Sequence, residues 1–232
     1  MSTEPPLAVV SGSSSGIGQA VAQALLDGGW RVCGLDRSAA AISHPRFESI
    51  TVDLADAAAT DSAASTLTHA QAFVHCAGLL RVGALGSLDA SNGELMWRLH
   101  VDAPTRIANR LLPAMAARGS GRVVLLGSRV AQGKPGRSQY AATKAALAGL
   151  ARSWAAEVVA QGVTVNVVSP AATQTAMTAD PARQSAAPQL PPIGRLIRPE
   201  EIAALVAFLL SPAAAAITGQ DLSICGGASL PR

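Results

Sequence analysis

Aromatic side chains are scarce in this 232-residue sequence, with three Phe, three Trp and a single Tyr. Lysine is scarcer still at two, Lys134 and Lys144, so the basic character rests on 16 Arg scattered from Arg31 to Arg232. A formal net charge of +3 with no basic run and no interleaved aromatics argues against a nucleic-acid face. Three cysteines, Cys33, Cys76 and Cys225, are too few and too far apart for a disulfide framework or a thiolate metal cage, and a reducing compartment is expected. Four histidines without paired spacing give no reason to propose a metal. The longest apolar stretch, Ala203 to Leu210, stops at Ser211-Pro212, well short of the roughly 20 residues that span a bilayer. The opening Met-Ser-Thr-Glu-Pro-Pro does not follow the plan of a signal peptide, so the cytoplasm is the expected location. What is abundant is apolar mass: 49% hydrophobic against 14% charged is the composition of a folded domain with a large core.

Short apolar runs alternate with longer segments of helical periodicity. Leu7–Ser11, Val32–Leu35, Ile50–Val52, Ala72–His75, Val123–Gly127, Val163–Val168 and Asp221–Cys225 read as seven strands. Gln19–Asp27, Glu94–Ala117, Tyr140–Ala160 and Pro199–Leu210 read as helices. Strand runs without strict polar alternation, separated by helices, imply a parallel sheet covered on both faces. The expected fold is α/β, a Rossmann-like doubly wound sheet of seven mostly parallel strands in one domain over 1–232. The stretch 170–199 holds six prolines and no convincing long helix, which suggests a substrate lid.

The first strand runs into Ser11-Gly12-Ser13-Ser14-Ser15-Gly16-Ile17-Gly18, directly before a helix. Gly12, Gly16 and Gly18 let the backbone approach an anion, and the N–H groups around Ser14, Ser15 and Ile17 at the helix start suit a pyrophosphate. No lysine follows, as a mononucleotide-binding P-loop would require. The second strand ends at Asp36, 24 residues beyond Gly12, near the offset at which a carboxylate meets the adenosine ribose. Asp36 would accept from both ribose hydroxyls and repel a 2'-phosphate, favouring NAD over NADP. Arg37 pulls the other way, because a guanidinium there could hold that phosphate. Asp53 and Leu54 could reach the adenine, although Asp53 could equally cap a strand end.

The only tyrosine, Tyr140, precedes one of the two lysines by four residues, and on a helix i and i+4 share a face. An ammonium about 4 Å from a phenolate stabilises it by at most roughly 4 kcal/mol in a partly screened site, enough to bring a phenol into range for acid–base work. Ser128, at the end of the fifth strand run, could donate to a carbonyl or alkoxide oxygen held by that tyrosine.

Taken together, the glycine string, Asp36, the Ala77-Gly78 pair, Ser128, Tyr140 with Lys144, and Asn166-Val167-Val168-Ser169-Pro170 resemble the short-chain dehydrogenase/reductase family over essentially the whole chain. The resemblance implies a nicotinamide cofactor and hydride transfer between it and a secondary alcohol or ketone. It makes Tyr140 the acid/base and Ser128 the donor to the substrate oxygen. It has Lys144 lower the tyrosine's pKa and bind the nicotinamide ribose. It also places Ala77, Gly78, Tyr140, Lys144, Pro170, Thr173 and Thr175 at the cofactor, with Thr175 at the carboxamide.

The chain departs from the family pattern at His75-Cys76-Ala77-Gly78, where Asn-Asn-Ala-Gly is usual, and at His100, which stands where the family places a catalytic Asn. An imidazole can donate and accept, so His100 is a candidate for the proton relay, against the alternative of a histidine satisfied within the helix layer. On the helix from Tyr140, a second face of Ala142, Ala145, Gly149, Ser153 and Ala156 carries no charge, which suggests a partner subunit and a homotetramer or homodimer. Val130, Gln132 and 172–190 are expected to wall a substrate pocket with no cationic cluster, where Arg129 or Arg183 could pair with one carboxylate. A cofactor-binding sensor without turnover is the rival reading, and loss of Ser128, Tyr140 or Lys144 would have favoured it.

Overall fold

The computed structural model describes residues 4–179 and 189–230. Seven parallel strands form one sheet in the order β3-β2-β1-β4-β5-β6-β7. They are β1 (Leu7–Ser11), β2 (Arg31–Asp36), β3 (Phe47–Thr51), β4 (Ala72–His75), β5 (Gly121–Leu126), β6 (Val163–Pro170) and β7 (Asp221–Ile224). The helices are α1 (Gly16–Asp27), α2 (Ala57–Ser65), α3 (Ala90–Trp97), α4 (Ala103–Ala117), α5 (Ser138–Val158), α6 (Ala176–Ala179) and α7 (Pro199–Leu210).

Because side chains alternate across a strand, each central strand feeds two cores. Val9 of β1, Phe73 of β4 and Val123 of β5 pack with Ile107 and Leu111 of α4 and Leu147 of α5. Their neighbours Val10, Val74 and Val124 pack with Val21 and Leu25 of α1 and Ile202 and Val206 of α7. Burial on both faces is why these strands read as unbroken Val and Leu runs. The order reverses between β1 and β4, and there the strand C-termini open a crevice of the kind that binds ligands in doubly wound sheets.

Two expectations from the sequence need correction. The helix expected over Glu94–Ala117 is two helices, α3 and α4, joined by a π-helical turn at Arg98–Asp102. It also starts earlier, because the Asp89 carboxylate accepts the Ser91 and Asn92 N–H groups and caps the new start. Helix α2 was not anticipated; its Asp56 cap accepts from Ala59 at 3.0 Å. Of the expected lid at 170–199, β6 ends at Pro170, α6 follows and α7 begins at Pro199, while 180–188 lie outside the described residues. No helix among the described residues is long and apolar enough to cross a membrane.

Candidate active site

The glycine string turns from β1 into α1 with no space to spare. Gly12 has φ +71°, and a Cβ there would lie 2.8 Å from the backbone N and Cα of Ala77. A Cβ on Gly18 would strike the Gly12 carbonyl oxygen, so the first turn of α1 closes onto the loop only without side chains. A groove of about 320 Å³ runs past Gly12, Ser15, Gly16, Ile17 and Gly18. Its far wall holds Asp36, Arg37, Asp53 and Leu54, and its near wall Ala77, Gly78 and Thr175. The cradle thus fits a dinucleotide: bare backbone beside a helix N-terminus, then a carboxylate at the strand end.

The Asp36 carboxylate is held on both oxygens. Its Oδ2 accepts from the Ser14 N–H at 3.0 Å and its Oδ1 from the Ser38 N–H at 2.9 Å. Ser14 therefore orients the acid and does not line the groove. Asp53 lines the groove and also accepts the Ala55 N–H at 2.9 Å.

The floor rests on a bond that the sequence did not disclose. His75 Nε2 meets the Leu99 carbonyl at 3.1 Å and therefore carries the proton, so Nδ1 accepts from the Ser11 hydroxyl at 2.8 Å. Ser11 Oγ in turn accepts the Cys76 and Ala77 N–H groups at 3.1 and 3.2 Å. Burial, and then the nearby Lys144 charge, push the His75 pKa down to about 3. The departure at His75 was the one available signal for this tie.

A second cavity, of about 560 Å³, shares Ile17, Cys76, Gly78, Thr175 and Met177 with the first. Ser128, Tyr140 and Lys144 all line it, as do Pro170 and Thr173. Ser128 leaves β5 and caps the following turn, its Oγ accepting the Val130 N–H at 3.2 Å. Lys144 is 6% exposed; its Nζ donates to the Leu126 carbonyl at 2.8 Å and lies 6.0 Å from the Tyr140 ring centroid. Burial lowers the Lys144 pKa to about 8.

His100 lies in the π-helical turn, fully buried, with its ring edge-on to Tyr140 at 5.5 Å. Its Nε2 accepts the Leu79 N–H at 3.0 Å. Its Nδ1 therefore donates to Thr143 Oγ1 at 2.8 Å, and the Thr143 hydroxyl donates in turn to the Tyr140 carbonyl at 2.9 Å. His100 lines neither cavity, and a relay through it would have to break one of these bonds.

The substrate wall differs from its expectation. Val130 lines the cavity, whereas Gln132 is exposed and outside it. Arg183 falls outside the described residues. Arg129 does line the cavity, but Lys134 and Arg137 line it too, so a cationic cluster exists where none was expected. Among the described residues, no group of three or more His, Cys, Asp or Glu could hold a metal ion.

A parallel sheet with its glycine-lined crevice at the reversal of strand order, opening onto serine, tyrosine and lysine, defines the class of a nicotinamide-dependent oxidoreductase. The sequence comparisons carry this to the family. The family model described as enoyl-(acyl carrier protein) reductase matches residues 12–229. The 3-oxoacyl-[acyl-carrier-protein] reductase FabG of Vibrio harveyi is 34% identical, with 98% of each chain covered. The 2,3-dihydro-2,3-dihydroxybenzoate dehydrogenase of Escherichia coli K12 is 32% identical over 95% of this chain and 96% of its own. A solved short-chain dehydrogenase/reductase family protein superposes with a TM-score of 0.90 at 33% identity, covering 98% of both chains. The chain belongs to the short-chain dehydrogenase/reductase family.

Proposed function

We propose that the chain is an NAD-preferring oxidoreductase that moves a hydride between the nicotinamide and a secondary alcohol or ketone by a Ser128–Tyr140–Lys144 mechanism. The observation that carries this reading is that all three side chains line one cavity, which shares walls with the glycine-lined groove. When bound, the nicotinamide supplies or accepts the hydride. In reduction, Tyr140 gives its phenolic proton to the substrate oxygen as the carbon takes the hydride, and recovers one from solvent afterwards. Ser128 Oγ already accepts from Val130, so its own proton is left to donate to the same oxygen. Lys144, charged below about pH 8, stabilises the phenolate left behind. Gly12, Gly16 and Gly18 would admit the pyrophosphate, Asp36 would take the adenosine ribose, and Thr175, which borders both cavities, would meet the carboxamide.

His100 acts in this scheme as a positioning residue, fixing the turn that faces Tyr140. One relative is named a reductase of a 3-oxoacyl group and another a dehydrogenase of a dihydroxy compound, which supports oxidoreduction as the reaction class. We further propose one domain with 170–199 as its lid, a cytoplasmic location, and a homotetramer or homodimer built on the small uncharged face of α5.

A second reading, an NADP-linked carbonyl reductase, draws on Arg37, which lines the groove next to Asp36. Calorimetric titration with NADH and NADPH decides between them. NADH should bind at least about ten-fold tighter, the equivalent of about 1.4 kcal/mol, and Asp36→Ala should narrow or reverse the ratio. A wild-type preference for NADPH assigns selection to Arg37.

A further inference from the structure

The proposed chemistry gives the proton step to Tyr140, and a role in fixing that phenol rests on the same reading. On the same turn of α5, Thr143 is only 2% exposed and lines neither cavity. Its hydroxyl nonetheless has a partner on each side. It accepts from His100 Nδ1 at 2.8 Å and donates to the Tyr140 carbonyl at 2.9 Å. His100 Nε2 is already taken by the Leu79 N–H at 3.0 Å, so the bond to Thr143 decides which ring nitrogen carries the proton. One hydroxyl thus joins the imidazole to the turn that carries the phenol.

The imidazole held in this way touches both halves of the site. A Cβ on Gly78 would lie 3.1 Å from His100 Nε2 and 3.6 Å from Lys144 Nζ, so the ring closes against a residue that lines both cavities. It also meets the Tyr140 ring edge-on, with the centroids 5.5 Å apart. Burial first, and the Lys144 charge second, hold the His100 pKa well below its ordinary value, so the ring keeps its place as a neutral group. A neutral imidazole bonded at both nitrogens has one tautomer and one orientation. Without the Thr143 hydroxyl, the Nδ1 proton would be a buried donor with no acceptor. The ring would then gain by turning or by moving its proton, either of which gives up the Leu79 bond.

We propose that Thr143 is a positioning residue for the reaction: by holding His100 in one tautomer and one orientation, it sets the Tyr140 ring against Lys144 and the substrate cavity. Thr143→Val keeps the branched shape and removes the hydroxyl, whereas Thr143→Ser keeps the hydroxyl. Tyr140 is the only tyrosine, so isotope-labelled tyrosine gives the phenol one set of NMR ring signals. The ring-nitrogen signals of His100 are picked out from those of four histidines by their loss in His100→Ala. The wild type should carry its His100 proton on Nδ1 alone. Thr143→Val should lose that pattern and displace or broaden the tyrosine ring signals, and Thr143→Ser should restore both. With NADH and ethyl acetoacetate, kcat should fall about ten-fold or more in Thr143→Val while KM for NADH stays within about two-fold. In a His100→Ala background Thr143→Val should not move the tyrosine signals further, as required of a residue that acts through the imidazole. A His100 proton on Nε2 in the wild type would overturn the proposal. So would a Thr143→Val protein that melts earlier yet keeps the tyrosine signals and kcat, or an equal loss in Thr143→Ser. Failure of the wild type to bind NADH would instead count against the oxidoreductase reading, since both sets of NMR signals are read without cofactor.

Discussion

At the scale of single residues, the proposed mechanism assigns proton exchange to Tyr140 and only positioning to His100. Tyr140 borders the cavity, whereas His100 is enclosed by Leu79 and Thr143. Tyr140→Phe removes the proposed acid and leaves the glycine cradle intact. Turnover should fall by about 10² to 10⁴ while NADH affinity stays within about two-fold, and full loss of binding would show that the tyrosine holds the fold as well. For His100 the informative measurement is the pH profile. Reduction should decline above about pH 8 as Lys144 loses its proton. In His100→Ala this alkaline limb should stay where it is, while kcat drops and thermal stability falls. A displaced limb would restore the imidazole to the proton path.

At the scale of elements, the two buried histidines fasten the π-helical turn to the sheet. His75 ties Leu99 to Ser11 at the end of β1, and His100 ties the loop after β4 to α5. Neither tie tolerates a proton. His75, depressed to about 3 in the fold against 6.5 in the open chain, leaves the unfolded state binding the extra proton throughout that interval. Its contribution is therefore complete above about pH 6.5 and declines as pH falls towards 3. At pH 5 the loss from His75 alone is about 2 kcal/mol. His100, also lowered by burial and then by Lys144, adds to it in the same direction. Urea unfolding at pH 7.5 and 5.0 should show this drop, and His75→Asn, which cannot titrate, should flatten it. An equal slope in the variant would assign the acid sensitivity elsewhere.

The same elements show how far the sequence can be read. Strands β1 and β4 keep their expected bounds because burial on both faces leaves a distinct apolar run. Tyr140, Lys144 and Ser128 are legible because rare residues stand at fixed offsets on a helix and a strand end. Helix α2 is not, since Ala57–Ser65 is Ala, Ser, Thr and Asp with no large apolar stripe. The π-helical turn has no compositional mark, and Ser11 and His75 meet across 64 residues only through the β1–β4 register. The cationic wall escapes a linear reading because Lys134 and Arg137 count as isolated charges until the Gly133–Gly136 turn folds them over the cavity.

At the scale of the whole molecule, the proposals for catalysis and for assembly both fall on α5. Its inner face buries Ala141, Lys144, Leu147, Ala151 and Ala155, which fixes the Tyr140–Lys144 pair against the sheet. Its outer face leaves Ala142, Ala145, Gly149, Ser153 and Ala156 exposed, a strip of small uncharged side chains flanked by the exposed Arg152 and Glu157. A solvated helix face normally carries charge, whereas small side chains let a second backbone come close. In sedimentation at micromolar concentration the protein should therefore run as a dimer or tetramer of the 23.4 kDa chain. Gly149→Glu is the discriminating variant. A Cβ at Gly149 meets nothing within 4 Å, so the substitution fits the isolated subunit, yet it would place a charge in the middle of the strip. The variant should sediment as a monomer with near-normal helical content and NADH affinity. If it stays assembled, the contact lies on another face, and α5 serves the active site alone.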